Sequence, residues 1–155
     1  MCGIAGIFNL DRQPASPVIL EKMTASIAHR GPDGAGHWYE DESGIGLGHR
    51  RLAIIDLSKA GQQPMQTSDG RYTITYNGEI YNFIQLKKEL YNFNQNWKTN
   101  SDTEVVLYSY LKWGSECLKK FEGMFSFAIW DNKNNSIFAA RDRMGVKPFY
   151  YSYQN

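Results

Sequence analysis

The second residue of the chain is a cysteine, within the opening run Met1-Cys2-Gly3-Ile4-Ala5-Gly6. If Met1 is removed, Cys2 carries a thiol and a free α-amino group, and the amine can act as the base that takes the thiol proton. Ordinary pKa values of about 7.7–8.0 for an α-amine and about 8.5 for a thiol make this transfer nearly balanced at neutral pH. The residues alone are compatible with nucleophilic catalysis by Cys2, but a small buried cysteine at a strand start is the more ordinary interpretation.

A second candidate lies in the stretch Tyr76-Asn77-Gly78-Glu79-Ile80-Tyr81-Asn82. An Asn-Gly pair between β-rich runs is typical of a type I′ hairpin turn, which is the structural interpretation. The functional interpretation is an oxyanion hole, in which the Asn77 side-chain amide and the Gly78 backbone N–H donate to one oxygen. On that interpretation, a side chain at position 78 would crowd the substrate.

Two arginines, Arg50 and Arg51, precede the apolar run Leu52–Ile55, which we predict to continue as a buried strand. A charge at such a position needs a partner. One arginine could grip a ligand carboxylate in a bidentate fork. A structural salt bridge with Asp56 is equally consistent with the sequence.

Asp102 lies in the first turn of a predicted helix, which opens with the capping-box pattern Ser101-Asp102-Thr103-Glu104. A carboxylate is favoured there by the helix dipole alone. The functional alternative is that Asp102 accepts hydrogen bonds from a substrate ammonium group, a task that Glu79 could share. Cys117, by contrast, is predicted to be a buried structural residue.

The composition is that of one globular domain, because 155 residues with 42% hydrophobic side chains can form a sizeable core. A formal net charge of +1 gives no indication of a nucleic-acid or membrane surface. The two cysteines make a poor disulfide framework and favour a reduced, cytoplasmic setting. The three histidines show no metal-ligand spacing, so we expect no metal site.

The order of the predicted elements is mixed and includes several hairpin-like pairs, which indicates an α+β fold with antiparallel sheets and helices packed outside. Predicted strands are Ile4–Phe8, His37–Glu40, Ile45–His49, Tyr72–Tyr76, Met124–Trp130, Ser136–Ala140 and Phe149–Tyr153. Ser16 and Pro17 predict the start of a helix whose apolar stripe is Leu20, Met23 and Ile27. Arg30-Gly31-Pro32-Asp33-Gly34 contains a Pro-Asp-Gly turn.

Taken together, these stretches resemble the glutaminase domain of class II glutamine amidotransferases, specifically that of glutamine-hydrolysing asparagine synthetases. The matching elements, in family order, are residues 1–6, 30–34, 48–56, 63–64, 76–82, 101–104, 125–131 and 140–148. Each element alone is weak, but together they span nearly the whole chain. The whole of residues 1–155 is therefore assigned to one such domain.

The resemblance implies a four-layer αββα fold of the N-terminal-nucleophile hydrolase type. It implies that Cys2 attacks the side-chain amide of glutamine, forms a thioester with release of ammonia, and is freed by water. Asn77 and Gly78 match the family's oxyanion donors, Arg51 matches the clamp on the substrate α-carboxylate, and Glu79 and Asp102 match the groups around its α-amine. The residues Leu52, Ala53, Ile54 and Ile55 match the lining of the same pocket.

The implied partners are glutamine as substrate and a synthetase domain or subunit as ammonia acceptor. ATP and magnesium would belong to that synthetase domain, so no cofactor is expected for residues 1–155. The family's last strands and its synthetase domain follow the element that ends this sequence. The alternatives are a glutaminase that serves a sugar phosphate, a phosphoribosyl donor or a polysaccharide precursor, and an inactive shortened domain. A homo-oligomer is compatible with the sequence.

Overall fold

The computed structural model describes residues 2–94 and 96–154 of the chain. Met1, whose removal the cysteine mechanism requires, lies outside the described residues. The strands are β1 (Gly3–Phe8), β2 (Gly34–Glu40), β3 (Ile45–Arg51), β4 (Met65–Gln66), β5 (Tyr72–Ile80), β6 (Gly123–Asp131) and β7 (Ser136–Arg141). The α-helices are α1 (Pro17–Ser26), α2 (Phe83–Glu89) and α3 (Asp102–Trp113).

Two antiparallel sheets form the centre of the fold. The first has the strand order β1-β3-β2, and the second has the order β4-β5-β6-β7. Strands β1 and β3 face β5, while α1 packs on β1 and β3, and α3 packs on β5 with α2 beside it. The layers therefore run helix, sheet, sheet, helix, which confirms the predicted α+β class and αββα arrangement.

Helix α1 begins where the sequence predicts. Ser16 is its N-cap, with Pro17 at the first helical position. Leu20 and Thr24 are buried, whereas Met23, which we predicted on the buried stripe, is exposed. The prediction for Met23 is wrong because residues four apart lie on the same face of a helix. Here Leu20 and Thr24 form the buried face of α1.

The main hydrophobic core lies between the second sheet and helices α2 and α3. Its buried members include Ile74, Ile80, Leu86, Leu90, Val105, Val106, Phe125 and Phe127. Removing each such side chain from water stabilises the fold by about 1.5–3 kcal/mol. Cys117 belongs to this core, and burial raises the pKa of its thiol to about 12, as expected for a structural residue.

Helix α3 also begins as predicted, but its capping box forms only in part. Ser101 is the N-cap, and its hydroxyl accepts a hydrogen bond from the N–H of Thr103 at 3.1 Å. Glu104 does not reach back to the N-cap. Its carboxylate instead accepts the N–H groups of Lys98 and Thr99 at 3.0 and 2.8 Å, because the preceding loop folds over the first turn.

The prediction that Leu52–Ile55 continues as a buried strand is wrong. Strand β3 ends at Arg51, and the side chain of Ile54 is 65% exposed. The neighbouring strand β1 begins at Gly3, which pairs with Arg50, so the ladder has no partner for residues farther along. The apolar run therefore forms a loop at the end of the first sheet.

The last predicted strand, Phe149–Tyr153, is also wrong. These residues lie outside the two sheets, and Tyr150 and Tyr151 are exposed. After β7 the chain turns at Asp142, whose carboxylate accepts the N–H groups of Val146 and Lys147. Because this turn follows β7 directly, the chain leaves the second sheet before residue 149.

Two buried hydrogen bonds join the facing sheets. The Nε2 of His49 on β3 lies 3.1 Å from the carbonyl oxygen of Tyr76 on β5. The hydroxyl of Thr75 donates to the carbonyl of Gly48 at 3.0 Å. Burial lowers the pKa of His49 to about 4, so the imidazole is neutral at pH 7 and Nε2–H can donate to the Tyr76 carbonyl.

The predicted Pro-Asp-Gly turn braces the end of β3. The N–H of Asp33 donates to the carbonyl of Arg51 at 3.0 Å, and the carboxylate of Asp33 accepts the N–H of Ala53 at 2.9 Å. Gly31 packs directly on this backbone, because a Cβ there would lie 2.5 Å from the carbonyl oxygen of Arg50. The turn therefore fixes where the loop after β3 begins.

His49→Gln should flatten the pH dependence of stability in mildly acidic solution. The unfolded chain binds a proton near the ordinary pKa of 6.5 and the folded chain only near 4, so the free energy of unfolding falls as pH drops through that window. Linkage predicts a loss of about 2 kcal/mol between pH 7 and pH 5, measured by urea unfolding. The exposed His29→Gln variant is the control. An unchanged loss in His49→Gln would contradict the assignment.

Gly31→Ala should destabilise the fold by about 1–3 kcal/mol, because the added methyl group must displace the backbone of β3. The matched control is Gly34→Ala, because a Cβ at Gly34 would have the Cβ of Arg51, at 3.9 Å, as its nearest neighbour. We expect the urea midpoint of Gly34→Ala to stay near that of the wild type. Equal midpoints for the two variants would rule out this close approach.

Candidate active site

One pocket lies where the two sheets meet, and it brings together all ten residues that the sequence analysis singled out. They are Cys2, Arg51, Leu52, Ala53, Ile54, Ile55, Asn77, Gly78, Glu79 and Asp102. Four parts of the fold supply them: the start of β1, the end of β3 with its following loop, the middle of β5, and the first turn of α3. Further lining residues include Gln63, Tyr76, Met124 and Lys147.

Cys2 lies directly before β1 and lines the pocket, partly exposed. The pairing of Gly3 with Arg50 brings it beside the end of β3. There the N–H of Leu52 donates to the sulfur at 3.3 Å, and the sulfur lies 3.6 Å from the carbonyl oxygen of the same residue. An N–H directed at sulfur stabilises the negative charge that develops when a thiol is activated.

The pair Asn77-Gly78 lies in the interior of β5, so the hairpin-turn interpretation is wrong. Side chains alternate along a strand, which places Asn77 and Glu79 on the same face as Thr75. Thr75 donates to a carbonyl of the first sheet, so this face looks toward β1 and β3. The side chains of Asn77 and Glu79 therefore project toward the sheet that begins beside Cys2.

The backbone N–H of Gly78 points to the outer edge of β5. Its partner on β6 is Phe125, whose N–H and carbonyl both bond to Asp142 on the opposite side. In an antiparallel sheet, a residue directs both groups to the same neighbouring strand. Gly78 and Phe125 therefore form a non-hydrogen-bonded pair, and the N–H of Gly78 faces away from β6.

The same edge carries two further N–H groups, both bound by side chains. Tyr76 donates its N–H to Oε1 of Gln63 at 2.7 Å, and Ile80 donates its N–H to Oδ2 of Asp102 at 3.0 Å. The N–H of Gly78 lies between them, where the pocket reaches the strand. This arrangement can present one backbone donor beside the Asn77 amide to an oxygen bound in the pocket.

The structure gives a reason for glycine at position 78 that the sequence analysis did not identify. A Cβ there would lie 2.6 Å from the carbonyl oxygen of Met124 and 2.8 Å from Cα of Phe125. The backbone of β6 by itself therefore requires glycine at this position. The close packing of the two strands also fixes the position of the Gly78 N–H.

Arg51 is held by backbone carbonyls, and not by the Asp56 carboxylate. Its Nη1 donates to the carbonyl of Ser58 at 2.9 Å, and its Nη2 donates to the carbonyl of Asp56. The Asp56 carboxylate instead accepts the N–H groups of Ser58 and Asn100 at 2.8 and 3.0 Å. The structure thus does not form the predicted salt bridge. A guanidinium group has five N–H donors, which leaves donors for a ligand carboxylate at the pocket wall.

Asp102 is 4% exposed and lines the same pocket from the first turn of α3. Its Oδ2 accepts the hydroxyl of Tyr76 at 2.6 Å in addition to the N–H of Ile80. Burial raises the pKa of the Asp102 carboxyl, these two hydrogen bonds oppose that shift, and the neighbouring Glu79 adds to it. A carboxylate in these surroundings is suited to binding a cation.

Lys147 is the main pocket residue that sequence reasoning from the residues did not single out. It is 1% exposed, and burial lowers the pKa of its ammonium group, with Arg30 adding to the shift and Glu79 and Asp142 opposing it. A lysine between Gly145-Val146 and Pro148 is typical of a solvated loop charge, so the signal for Lys147 was its place in the matching stretch 140–148, to which no role was assigned. Tyr76 and Gln63 were missed for a similar reason, since each fits an ordinary strand or loop.

Within residues 2–94 and 96–154, no group of three or more His, Cys, Asp or Glu side chains could hold a metal ion. The same residues contain no helix that is long and apolar enough to cross a membrane.

Comparison with known proteins identifies relatives along the whole chain. The model of the glutamine amidotransferase domain family matches residues 1–155. Asparagine synthetase [glutamine-hydrolyzing] 3 of Bacillus subtilis is 43% identical over 155 residues, covering 98% of this chain and 25% of the relative. A putative asparagine synthetase [glutamine-hydrolyzing] 2 of Methanocaldococcus jannaschii is 44% identical over 167 residues, covering 97% of this chain and 32% of the relative. The chain thus spans about a quarter to a third of these relatives.

A solved structure supports the fold independently. Glutamine phosphoribosylpyrophosphate amidotransferase from B. subtilis, complexed with ADP and GMP, aligns with a TM-score of 0.75 at 22% sequence identity. The alignment covers 94% of this chain and 38% of that chain. At this identity the likeness concerns the fold alone. With the family match over its entire length, the chain belongs to the glutamine amidotransferase domain family.

Proposed function

We propose that this domain hydrolyses glutamine to glutamate and ammonia through a thioester on Cys2. The observation that carries the proposal is the convergence on one pocket of a thiol, a guanidinium group, two carboxylates and the Asn77-Gly78 donors. These groups match the parts of glutamine one by one. The guanidinium fits the α-carboxylate, a carboxylate fits the α-ammonium, and the thiol with its donors fits the side-chain amide.

Binding of the amino-acid end uses the walls of the pocket. Arg51, whose guanidinium is braced by two carbonyls, donates to the α-carboxylate. Asp102 and Glu79 accept from the α-ammonium group. The loop Leu52–Ile55 lies along the aliphatic part of the substrate. This arrangement directs the side-chain amide toward Cys2.

The chemistry then proceeds in two steps. The Cys2 sulfur attacks the amide carbon, and the thiol proton passes to the Cys2 α-amine, provided that Met1 has been removed. The carbonyl oxygen becomes negatively charged and accepts hydrogen bonds from the Asn77 amide and the Gly78 N–H. The carbon–nitrogen bond then breaks, and the amine returns the proton to the departing nitrogen. Ammonia is released, and the acyl group remains on Cys2 as a thioester. Water attacks the thioester, the amine again takes a proton, and glutamate and the free thiol result.

We further propose that the ammonia serves asparagine synthesis in a longer protein or a complex. The support is that the relatives named above are asparagine synthetases three to four times as long as this chain. In this proposal, ATP and magnesium act in the synthetase region, and hydrolysis in residues 1–155 needs no cofactor. Both cysteines of the domain are free thiols, so we place the activity in a reducing compartment such as the cytoplasm.

Cys2→Ala should abolish glutamate release from glutamine while leaving the circular dichroism spectrum and the urea midpoint near those of the wild type. The rate should fall to the background, because the variant lacks the only atom in the proposal that forms the thioester. Mass spectrometry of the wild type should show that Met1 is absent and that a glutamine-like electrophile labels Cys2.

The matched control is Cys117→Ala, which removes a fully buried sulfur from the core. It should lower stability by about 1–3 kcal/mol and leave the rate per folded molecule nearly unchanged. A processed, folded wild type without turnover and without labelling of Cys2 would refute the proposed activity. Equal loss of rate in both variants would reverse the assignment of the nucleophile.

A further inference from the structure

The side chain of Tyr76 makes a short hydrogen bond inside the pocket that has no role in the proposed chemical steps. Its hydroxyl donates to Oδ2 of Asp102 at 2.6 Å, and the residue as a whole is 2% exposed. Both residues line the pocket. A phenol that donates to a buried carboxylate makes a charge-assisted hydrogen bond, which is stronger than a bond between two neutral side chains.

Because of this bond, the two carboxylate oxygens of Asp102 differ in their hydrogen-bond partners. Oδ2 accepts both the Tyr76 hydroxyl and the Ile80 N–H, at 2.6 and 3.0 Å. Among the described residues, the hydrogen bond to Oδ1 comes from the hydroxyl of Ser101 at 3.5 Å, at the limit of a hydrogen bond. The nearby N–H of Thr103 also opposes the rise that burial causes in the pKa of the carboxyl. The two donors on Oδ2 therefore hold the carboxylate in one orientation, with Oδ1 as the oxygen that can still accept strong donors.

Both backbone polar groups of Tyr76 are fixed by side chains from other parts of the fold. Its N–H donates to Oε1 of Gln63 at 2.7 Å, and its carbonyl oxygen lies 3.1 Å from Nε2 of His49. The side-chain nitrogen of Gln63 continues to the hydroxyl of Thr103 at 3.2 Å, in the same helical turn as Asp102. Strand β5 and helix α3 are thus tied together by polar contacts around the Tyr76–Asp102 pair.

We propose that Tyr76 is a positioning residue for substrate recognition: by occupying Oδ2 of Asp102, it directs Oδ1 toward the α-ammonium group of the bound amino acid. The inference rests on the proposed function, in which Asp102 binds that ammonium group, and it names the residue that makes the binding selective for an α-amino acid. Tyr76 does not touch the reacting atoms, so it should act on affinity and not on the chemical step.

The electrostatics of the pair give this role a distinctive pH signature. Burial raises the pKa of Asp102, and the Tyr76 hydroxyl opposes the shift by stabilising the carboxylate. Burial and the Asp102 charge raise the pKa of Tyr76 well above its ordinary value, so the phenol remains a donor at neutral pH. The other charged or titratable groups that line the pocket are Glu79 on β5, Cys2 before β1, Arg51 on β3, Asp56 in the loop after β3 and Lys147 after β7.

Tyr76→Phe keeps the buried ring and removes only the hydroxyl. We expect the KM for glutamine to rise about tenfold or more, with kcat within about threefold of the wild type, since one hydrogen bond to a charged group is lost. The acid limb of the kcat/KM profile should move to higher pH, because the Asp102 carboxylate loses a donor that lowers its pKa. A purely structural role would not move that limb.

The matched control is Tyr72→Phe, on the same strand but outside the pocket. Its KM and acid limb should equal those of the wild type. If Tyr76→Phe resembles this control while the wild type still hydrolyses glutamine through Cys2, the inference is overturned and the proposed function stands. If the wild type does not hydrolyse glutamine and the Cys2→Ala variant does not bind it, both the inference and the proposed function are overturned.

A double variant keeps the test decisive if Tyr76→Phe folds poorly. Asp102→Asn removes the buried charge that the hydroxyl stabilises, so adding Tyr76→Phe in that background should be tolerated better. Glutamine affinity, measured by calorimetry on the Cys2→Ala form, should then be the same with Tyr76 or Phe at this position. A further loss of affinity in the double variant would show that Tyr76 acts without Asp102 and would overturn the inference.

Discussion

The close approach of the two sheets at β3 and β5 is the constraint on which the rest of this domain depends. His49 and Thr75 bridge the sheets through backbone carbonyls, and the histidine can do so without a buried charge because burial keeps it neutral. This contact sets the distance between the strand that follows Cys2 and the strand that carries Asn77. A pocket exists at their junction because both sheets end there and the loop after β3 closes one side.

Backbone geometry supplies much of the chemistry of the pocket. Alternate residues of an antiparallel strand direct their N–H groups to the same edge, so Tyr76, Gly78 and Ile80 present three N–H groups on one edge of β5. Each of the three has a different role. The first binds Gln63, the last binds Asp102, and the middle one, from Gly78, is left at the pocket. The donor that would stabilise an oxyanion is thus placed by strand pairing, which is rigid, and not by a mobile loop.

Charged side chains in the pocket are braced by neutral or backbone groups. Arg51 is held by carbonyls of the loop 56–58, and Asp102 by the Tyr76 hydroxyl and a backbone N–H. A charge braced in this way keeps its orientation without being neutralised, so it retains attraction for an ion of opposite sign. The arrangement suits a zwitterionic ligand, whose carboxylate and ammonium groups would meet Arg51 and Asp102.

The sequence by itself determined most of the helices and strands and which residues were candidates for the site, because caps, turns and alternation are local and because the motifs of the resemblance kept their residue types and order. It placed Ser16, Ser101 and the Pro-Asp-Gly turn correctly and named the ten residues that share the pocket. Only the tertiary structure decided that Asn77-Gly78 is strand interior, that Leu52–Ile55 is loop, and that Tyr76 and Lys147 belong to the site. These outcomes depend on which strand pairs with which and on where each strand pairing ends. Such long-range contacts cannot be predicted from the periodicity of the neighbouring residues in the sequence.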